Sequence, residues 1–260
     1  MNKKLRVLMT REAIKPERLP GSTVVVVDAF MATTTLVTIL ENGARGVYPV
    51  DSLEEAEEVC SRLDPSRLIR GGEQDALRIE GYDCGPFPEE YPPELVEDRD
   101  VVFVTTNGTR AISAAAPAGE LLVGCIRNAP AVARHLKETG AESIYIVCAG
   151  SMGDFTLEDF LGATSILAHL EPDGKSLDGW KLNDAAWMAL EFARGRGAAP
   201  EEVLRESRAG RWFLENDRLE DLRFVGEVGA SDLVAEVRDG RLRRVAESRD
   251  RSATSAPGTE

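Results

Sequence analysis

Five acidic side chains stand at or just beyond points where strands of this chain are predicted to end. They are Asp28, Glu73, Asp154, Glu158 and Asp159. Carboxylates gathered at one edge of a sheet would repel one another unless a hard cation such as Mg²⁺ united them. Mg²⁺ usually takes one or two carboxylates together with phosphate oxygens, so not all five can be direct ligands. For each residue taken alone, a solvated or helix-capping carboxylate is the competing interpretation.

A second set of residues has the chemistry of an anion cradle. Residues 101–110 read VVFVTTNGTR, so four apolar residues run into Thr105, Thr106, Asn107, Gly108, Thr109 and Arg110. Threonine hydroxyls can donate hydrogen bonds, glycine permits close backbone approach, and arginine can fork onto an oxyanion. A helix that begins here would also point its N–H groups at the ligand. An ordinary capped turn explains the same residues equally well.

Two more predicted strand ends repeat this pattern. Residues 24–27 lead into Asp28 and then Thr33, Thr34 and Thr35, whereas residues 144–147 lead into Gly150 and Ser151. The three threonines could instead be packing residues. A serine hydrolase built on Ser151 is disfavoured, because the surrounding residues do not form a GxSxG turn and His135 and His169 lie in predicted helices.

The elements that must position these residues alternate between strand and helix. Strands are predicted at 5–9, 23–27, 46–50, 68–70, 100–104, 121–125 and 143–147, with Gly71-Gly72-Glu73 turning out of the fourth. Helices are predicted at 32–42, from Ser52 onward, and at 109–116, 129–139, 156–170, 183–194 and 200–207. Residues 81–93 are predicted to form a long irregular loop because they hold four prolines. Short strands are predicted at 211–213 and 224–227, and a hairpin over 233–245.

This alternation predicts a layered α/β fold with a mainly parallel sheet, whose ligands gather at the carboxyl ends of the strands. Residues 1–247 are expected to form one domain, with two similar lobes as an open alternative, and residues 248–260 a frayed polar tail.

Composition narrows the classes of partner. A net charge of −14 makes nucleic acid an improbable main partner. The four cysteines form no CxxC pair, and no segment approaches the roughly 20 apolar residues of a membrane span. A cytoplasmic protein is the expectation, and a homo-oligomer is left open.

Taken together, the motifs resemble the 2-phosphosulfolactate phosphatase family of coenzyme M biosynthesis. The matching pieces are VVVVDAFMATTT, GGE at 71–73, GYDCGPFPEEY, TTNGTRA, the segment around Asn128, and AGSMGDFTLED. The resemblance implies a three-layer α/β/α fold and a Mg²⁺-dependent phosphatase acting on 2-phospho-3-sulfolactate. Two departures bear on the substrate: Met31 occupies the family's arginine position, and Pro86-Phe87 replaces two polar residues.

The resulting hypothesis is metal-assisted hydrolysis of a phosphate monoester of a small 2-hydroxy acid. Metal ligands are expected among Asp28, Glu73, Glu158 and Asp159, and catalytic roles are expected for Asp28, Asp159 and Arg110. The substrate and its phosphate are expected to bind Thr33, Thr34, Thr35, Thr105, Thr106, Asn107, Gly108, Thr109, Asn128, Gly150 and Ser151. The alternative is a non-catalytic or substrate-shifted protein of the same fold that binds an anionic metabolite.

Overall fold

The computed structural model describes residues 3–74, 77–196 and 200–245. The expected polar tail at 248–260 lies outside these residues. Within them, eleven strands form one sheet: β1 Lys4–Leu8, β2 Thr23–Val27, β3 Gly46–Val50, β4 Leu68–Gln74, β5 Leu77–Arg78, β6 Asp100–Val104, β7 Glu120–Gly124, β8 Ser143–Cys148, β9 Lys181–Leu182, β10 Ala235–Arg238 and β11 Arg241–Arg244.

Ten α-helices accompany the strands over the same described residues. They are α1 Thr33–Glu41, α2 Leu53–Cys60, α3 Pro93–Val96, α4 Gly108–Ala115, α5 Ala129–Glu138, α6 Leu157–Leu170, α7 Asp184–Arg196, α8 Pro200–Glu206, α9 Arg208–Glu215 and α10 Leu219–Gly226. The five-residue and longer strands run parallel to one another within each half of the sheet, as the alternation of elements predicts.

The C-terminal hairpin occupies the middle of the sheet. The strand order is β5-β4-β6-β3-β11-β10-β7-β2-β8-β1-β9. Strand β10 pairs antiparallel with β7, and β11 pairs antiparallel with β3, so the hairpin joins two parallel halves. The hairpin turn predicted at Asp239-Gly240 is confirmed.

Helices cover both faces of the sheet. Along β2, Val24 and Val26 join the cluster that contains residues of α1 and α4, whereas Val25 and Val27 join the cluster that contains residues of α5 and α6. All four valines are fully buried. A strand buried on both faces reads as a continuous apolar run, which is why the sequence VVVV predicts β2 correctly. The three-layer α/β/α fold is therefore confirmed.

Three parts of the chain differ from the predicted elements. Strand β4 continues through Gly71, Gly72 and Glu73 to Gln74, where a turn was predicted. The segments 211–213 and 224–227 were predicted as short strands, but they fall within or at the end of helices α9 and α10. Short apolar runs do not distinguish a strand from a buried helix, and tertiary packing decided both cases.

Gly72 allows β4 to pass close to β6. Its φ is 116°, and a Cβ atom placed on it would lie 1.9 Å from the carbonyl oxygen of Val104. No side chain fits there without moving the backbone.

We therefore expect Gly72→Ala to lower the free energy of unfolding by about 2 kcal/mol, from strain and overpacking. Urea denaturation measures this difference. Gly140→Ala is the matched control, because a Cβ at Gly140 meets no atom within 4 Å. Equal stability of the two variants would contradict the close approach.

Among the described residues, none of the helices has both the length and the apolar character needed to cross a bilayer.

Candidate active site

A cavity of about 410 Å³ opens at the carboxyl ends of the parallel strands. Its lining combines carboxylates, the polar turn after β6, the turn after β8 and an apolar wall. The lining residues are Asp28, Phe30, Met31, Ala32, Glu73, Thr105, Thr106, Asn107, Gly150, Ser151, Met152, Thr156, Glu158, Asp159, Arg208, Ala209, Trp212 and Phe213. All four predicted metal ligands are thus brought to one cavity, from three separate parts of the chain.

Asp159 lies in the first turn of α6 and is held rigidly. One carboxylate oxygen accepts a hydrogen bond from the backbone N–H of Ala29, and the other accepts from that of Gly150, both at 2.9 Å. Burial, followed by the charge of Glu158, raises the pKa of Asp159 from 3.8 to about 7. A carboxylate with this pKa can accept or release a proton near neutral pH.

Asp28 follows β2 directly and opens onto the cavity. Burial raises its pKa well above 3.8, and the charges of Asp159, Glu73 and Glu158 raise it further, while Arg11 lowers it. Gly108 makes room for this side chain, since a Cβ there would lie 2.9 Å from Asp28 Oδ2. The Asp28 carboxylate is therefore surrounded by negative charge and has little space around it.

Glu73 is the next-to-last residue of β4 and is buried. Its carboxylate accepts from the backbone N–H of Thr106 at 2.6 Å and from the Thr106 hydroxyl at 3.1 Å. This pair of hydrogen bonds fixes the polar turn after β6 against the acidic cluster. The extension of β4, which the sequence did not predict, is what carries Glu73 into the cavity.

Glu158 precedes Asp159 on α6 and has an unsatisfied atom. Its Oε2 is buried and has no hydrogen-bond partner among the described residues. Burial raises the pKa of Glu158, and the nearby Ser207 hydroxyl and Arg208 guanidinium offset part of that rise. A buried carboxylate oxygen without a partner is costly, so it is a natural position for a cation or a proton.

The residues present fit a divalent cation that keeps part of its water shell. Within the described ranges, no three His, Cys, Asp or Glu side chains converge into a ready-made metal cage. Mg²⁺ does not require one, since it is commonly bound by one or two carboxylates together with water and substrate oxygens. Such an ion would give the buried Glu158 Oε2 a partner, and it would offset the repulsion among the carboxylates around Asp28.

The predicted anion cradle divides between the cavity and the helix behind it. Thr105, Thr106 and Asn107 line the cavity, whereas Gly108 and Thr109 begin α4. The Thr109 hydroxyl donates to the Thr105 carbonyl. Arg110 does not line this cavity; it lines a separate cleft of about 100 Å³ that shares Glu73, Thr105 and Thr106.

The three threonines of α1 lie behind the cavity. Their hydroxyls donate at 2.7 Å to the backbone carbonyls of Asp28, Ala29 and Pro86, for Thr33, Thr34 and Thr35 respectively. Thr33 and Thr34 hold in place the loop that presents Asp28, and Thr35 holds the loop at Pro86. Phosphate binding by these hydroxyls stays a prediction, and the contacts favour a supporting role.

Asn128 is buried away from the cavity. Its side chain accepts from the N–H of Cys125 at 2.8 Å and donates to the carbonyls of Val123 and Leu233. These bonds tie the end of β7 to the C-terminal hairpin region. Its role as a phosphate ligand likewise stays a prediction. At the turn after β8, Gly150 and Ser151 do line the cavity.

Two arginines and an aromatic wall of the site were not predicted from the sequence. Arg11 donates through Nη1 to Asn107 Oδ1 at 2.8 Å, although the two residues are 96 positions apart. Arg208 and Trp212 reach the cavity from α9, a segment whose centre was predicted as a strand. A helical reading of residues 208–215, with Ser207 as its N-cap, would have placed 208 and 212 on one face.

An acidic cavity at the carboxyl edge of a mainly parallel sheet is where α/β enzymes hold their small ligands. Fold and site together define an enzyme of the α/β class.

Comparison with known proteins gives the family. The family model described as 2-phosphosulpholactate phosphatase matches residues 8–240. A relative from Caldanaerobacter subterraneus is 33% identical over 92% of this chain and 97% of its own length. Relatives from Clostridium perfringens (32%, covering 93% and 96%) and Symbiobacterium thermophilum (34%, covering 87% and 95%) are similar. All three bear the name "Probable 2-phosphosulfolactate phosphatase". The chain belongs to the 2-phosphosulfolactate phosphatase family, whose members are phosphoric monoester hydrolases with small phosphorylated substrates.

Proposed function

We propose that this phosphatase hydrolyses 2-phospho-3-sulfolactate to 3-sulfolactate and phosphate with Mg²⁺ as its cofactor. The names of the relatives support the substrate. The observation that carries the cofactor is the cluster of four cavity carboxylates, in which Glu158 Oε2 is buried without a partner among the described residues.

The carboxylates divide into holding and proton-transfer roles. Asp28, Glu73, Glu158 and Asp159 would hold the cation, with Asp28 and Glu158 as the first candidates because Asp159 and Glu73 already accept backbone hydrogen bonds. When bound, Mg²⁺ supplies positive charge that neutralises phosphoryl oxygens. Asp159, whose two oxygens are oriented by the backbone N–H groups of Ala29 and Gly150, would take a proton from water.

The polar turn after β6 orients the phosphate. Thr106 is fixed by Glu73, and Asn107 is fixed by Arg11. Because these groups are already in position, they need little reordering when the substrate binds, which is the condition for effective electrostatic stabilisation.

All four cysteines are unpaired and buried. Unpaired thiols suit a reducing compartment, so the proposal keeps the cytoplasm as its location.

Phosphate release by the purified protein tests the proposal. With Mg²⁺ and 2-phospho-3-sulfolactate we expect turnover, and we expect EDTA to lower it at least a hundredfold and added Mg²⁺ to restore it. The control is the same treatment followed by circular dichroism, which shows whether the chelated protein stays folded. Turnover that is unchanged in EDTA would rule out the cofactor, and no release of phosphate would rule out the substrate.

A substrate-shifted phosphatase is the second candidate, and Met31 favours it. Met31 lines the cavity at the position where the family resemblance expects arginine, in a turn with φ of 63°. A thioether offers a sulfonate no charge. Assaying 2-phospholactate alongside 2-phospho-3-sulfolactate distinguishes the candidates, since a shifted enzyme would prefer the substrate without sulfonate.

A further inference from the structure

One face of α9 forms a wall of the cavity. Arg208, Ala209, Trp212 and Phe213 all line it, at the spacing i, i+1, i+4 and i+5 that places residues on one side of a helix. Three of them are apolar, and Arg208 stands at the N-terminal end of the same face. The wall therefore offers an apolar surface next to a single positive charge.

The apolar part of this wall is held in place. Phe213 is buried, and its ring centroid lies 4.5 Å from that of Phe30 and 5.8 Å from that of Phe87. Arg218 stacks on the Phe87 ring at 3.5 Å and forms ion pairs with Glu89 and Asp221. Helix α9 is thereby fixed beside the cavity, and so is the backbone of Arg208, its first residue.

Arg208 forms no close polar contact within the described parts of the chain. Its side chain is exposed, and no ion pair or side-chain hydrogen bond joins it to another described residue; its charge acts on the nearby Glu158, whose pKa it lowers. Of the described residues that line the cavity, it is the one cation. The other nearby arginines differ: Arg11 is bound to Asn107 and Glu12, and Arg110 faces the separate cleft.

The charges of the substrate require such a group. A phosphorylated sulfolactate carries two further acids besides its phosphate, and four carboxylates already lie in the cavity. A cation among those carboxylates would be occupied by the phosphate. A second acid group then needs a positive partner away from the strand ends, and an arginine fork matches the geometry of a carboxylate or sulfonate.

We propose that Arg208 binds the non-phosphate acid of the substrate and so selects phosphate monoesters that carry a second acid group. The body of the substrate lies along Ala209 and Trp212. This inference deepens the proposed function and rests on it.

Steady-state kinetics with Arg208→Gln tests the inference. We expect the KM for 2-phospho-3-sulfolactate to rise roughly tenfold to a hundredfold, with kcat nearly unchanged. A loss of affinity of this size is typical of removing one hydrogen bond to a charged group. For phenyl phosphate, which has no second acid, kcat/KM should change less than twofold. Arg208→Lys should recover part of the loss. A loss of equal size on both substrates, or on neither, would overturn the inference.

Arg211→Gln is the matched control, because Arg211 lies on the same helix, is exposed and does not line the cavity. It should behave as wild type on both substrates.

A binding measurement separates failure of this inference from failure of the proposed function. Isothermal titration of the protein with 3-sulfolactate needs no turnover. Binding that weakens tenfold or more in Arg208→Gln and not in Arg211→Gln supports the assignment even if no phosphate is released. Absence of binding to wild type, or equal binding to all variants, overturns it.

Discussion

Asp28→Asn is expected to lower phosphate release by about a thousandfold, the loss typical of removing a central ligand or proton-transfer group. The same change should leave the fold intact or make it more stable. Burial and three neighbouring carboxylates raise the pKa of Asp28, so its ionised form is unfavourable in the protein without a cation. An amide of the same size removes that repulsion.

Activity and stability should therefore move in opposite directions. Phosphate release and thermal unfolding in EDTA, measured on the same preparation, check both. Asp232→Asn is the control, since Asp232 is exposed and pairs with Arg134 on the surface, where an ion pair contributes little. Unchanged turnover in Asp28→Asn would refute the assignment of Asp28 to the site.

Asp159 should make the metal-free protein less stable as the pH rises. Its pKa is about 7 in the folded protein and near 3.8 when unfolded, so the folded state binds the extra proton between these values. Stability contributed by this group is complete below about pH 4 and is lost as the pH rises to about 7. The loss is on the order of a few kcal/mol, because one pKa unit corresponds to about 1.4 kcal/mol.

The comparison of wild type with Asp159→Asn isolates this effect. Urea denaturation in EDTA at several pH values from 4 to 8 gives the difference in unfolding free energy. That difference should shift steadily in favour of the variant over this range. Asp64→Asn serves as control, because the contacts with Ser66 lower the pKa of this exposed residue. A difference that is independent of pH would contradict the buried, protonatable state of Asp159.

The central strands were predictable because their burial shows in the sequence. The run at Thr23–Val27 matches β2 at both ends. The prediction ended β4 at Arg70 because glycines such as Gly71 and Gly72 commonly mark turns. In the structure they lie within the strand and allow close packing, since a Cβ at Gly71 would lie 2.0 Å from the Tyr91 hydroxyl. When a glycine is required by a residue distant in sequence, the residues next to it do not indicate that requirement.

The acidic half of the site could be predicted, and the wall opposite it could not. Asp28 follows a strand and Glu158 and Asp159 begin a helix, so the topology brings these carboxylates together. Arg208 and Trp212 reach the cavity only because α9 packs against it, and Arg11 because its loop meets the turn at Asn107. Such contacts depend on tertiary packing between segments that share no sequence pattern.

The position of the C-terminal hairpin also sets an order of assembly. Strands β10 and β11 lie between β7 and β3, so strand pairing between the two halves of the sheet passes through residues 235–244. The acidic cavity draws Asp28 and Asp159 from one half and Glu73 from the other. During synthesis on the ribosome, the halves can each begin to form early, but the sheet that spans them closes after the hairpin has emerged. We therefore expect a nascent chain to complete its active site only after residues 235–244 have been translated, although the residues of that site precede them.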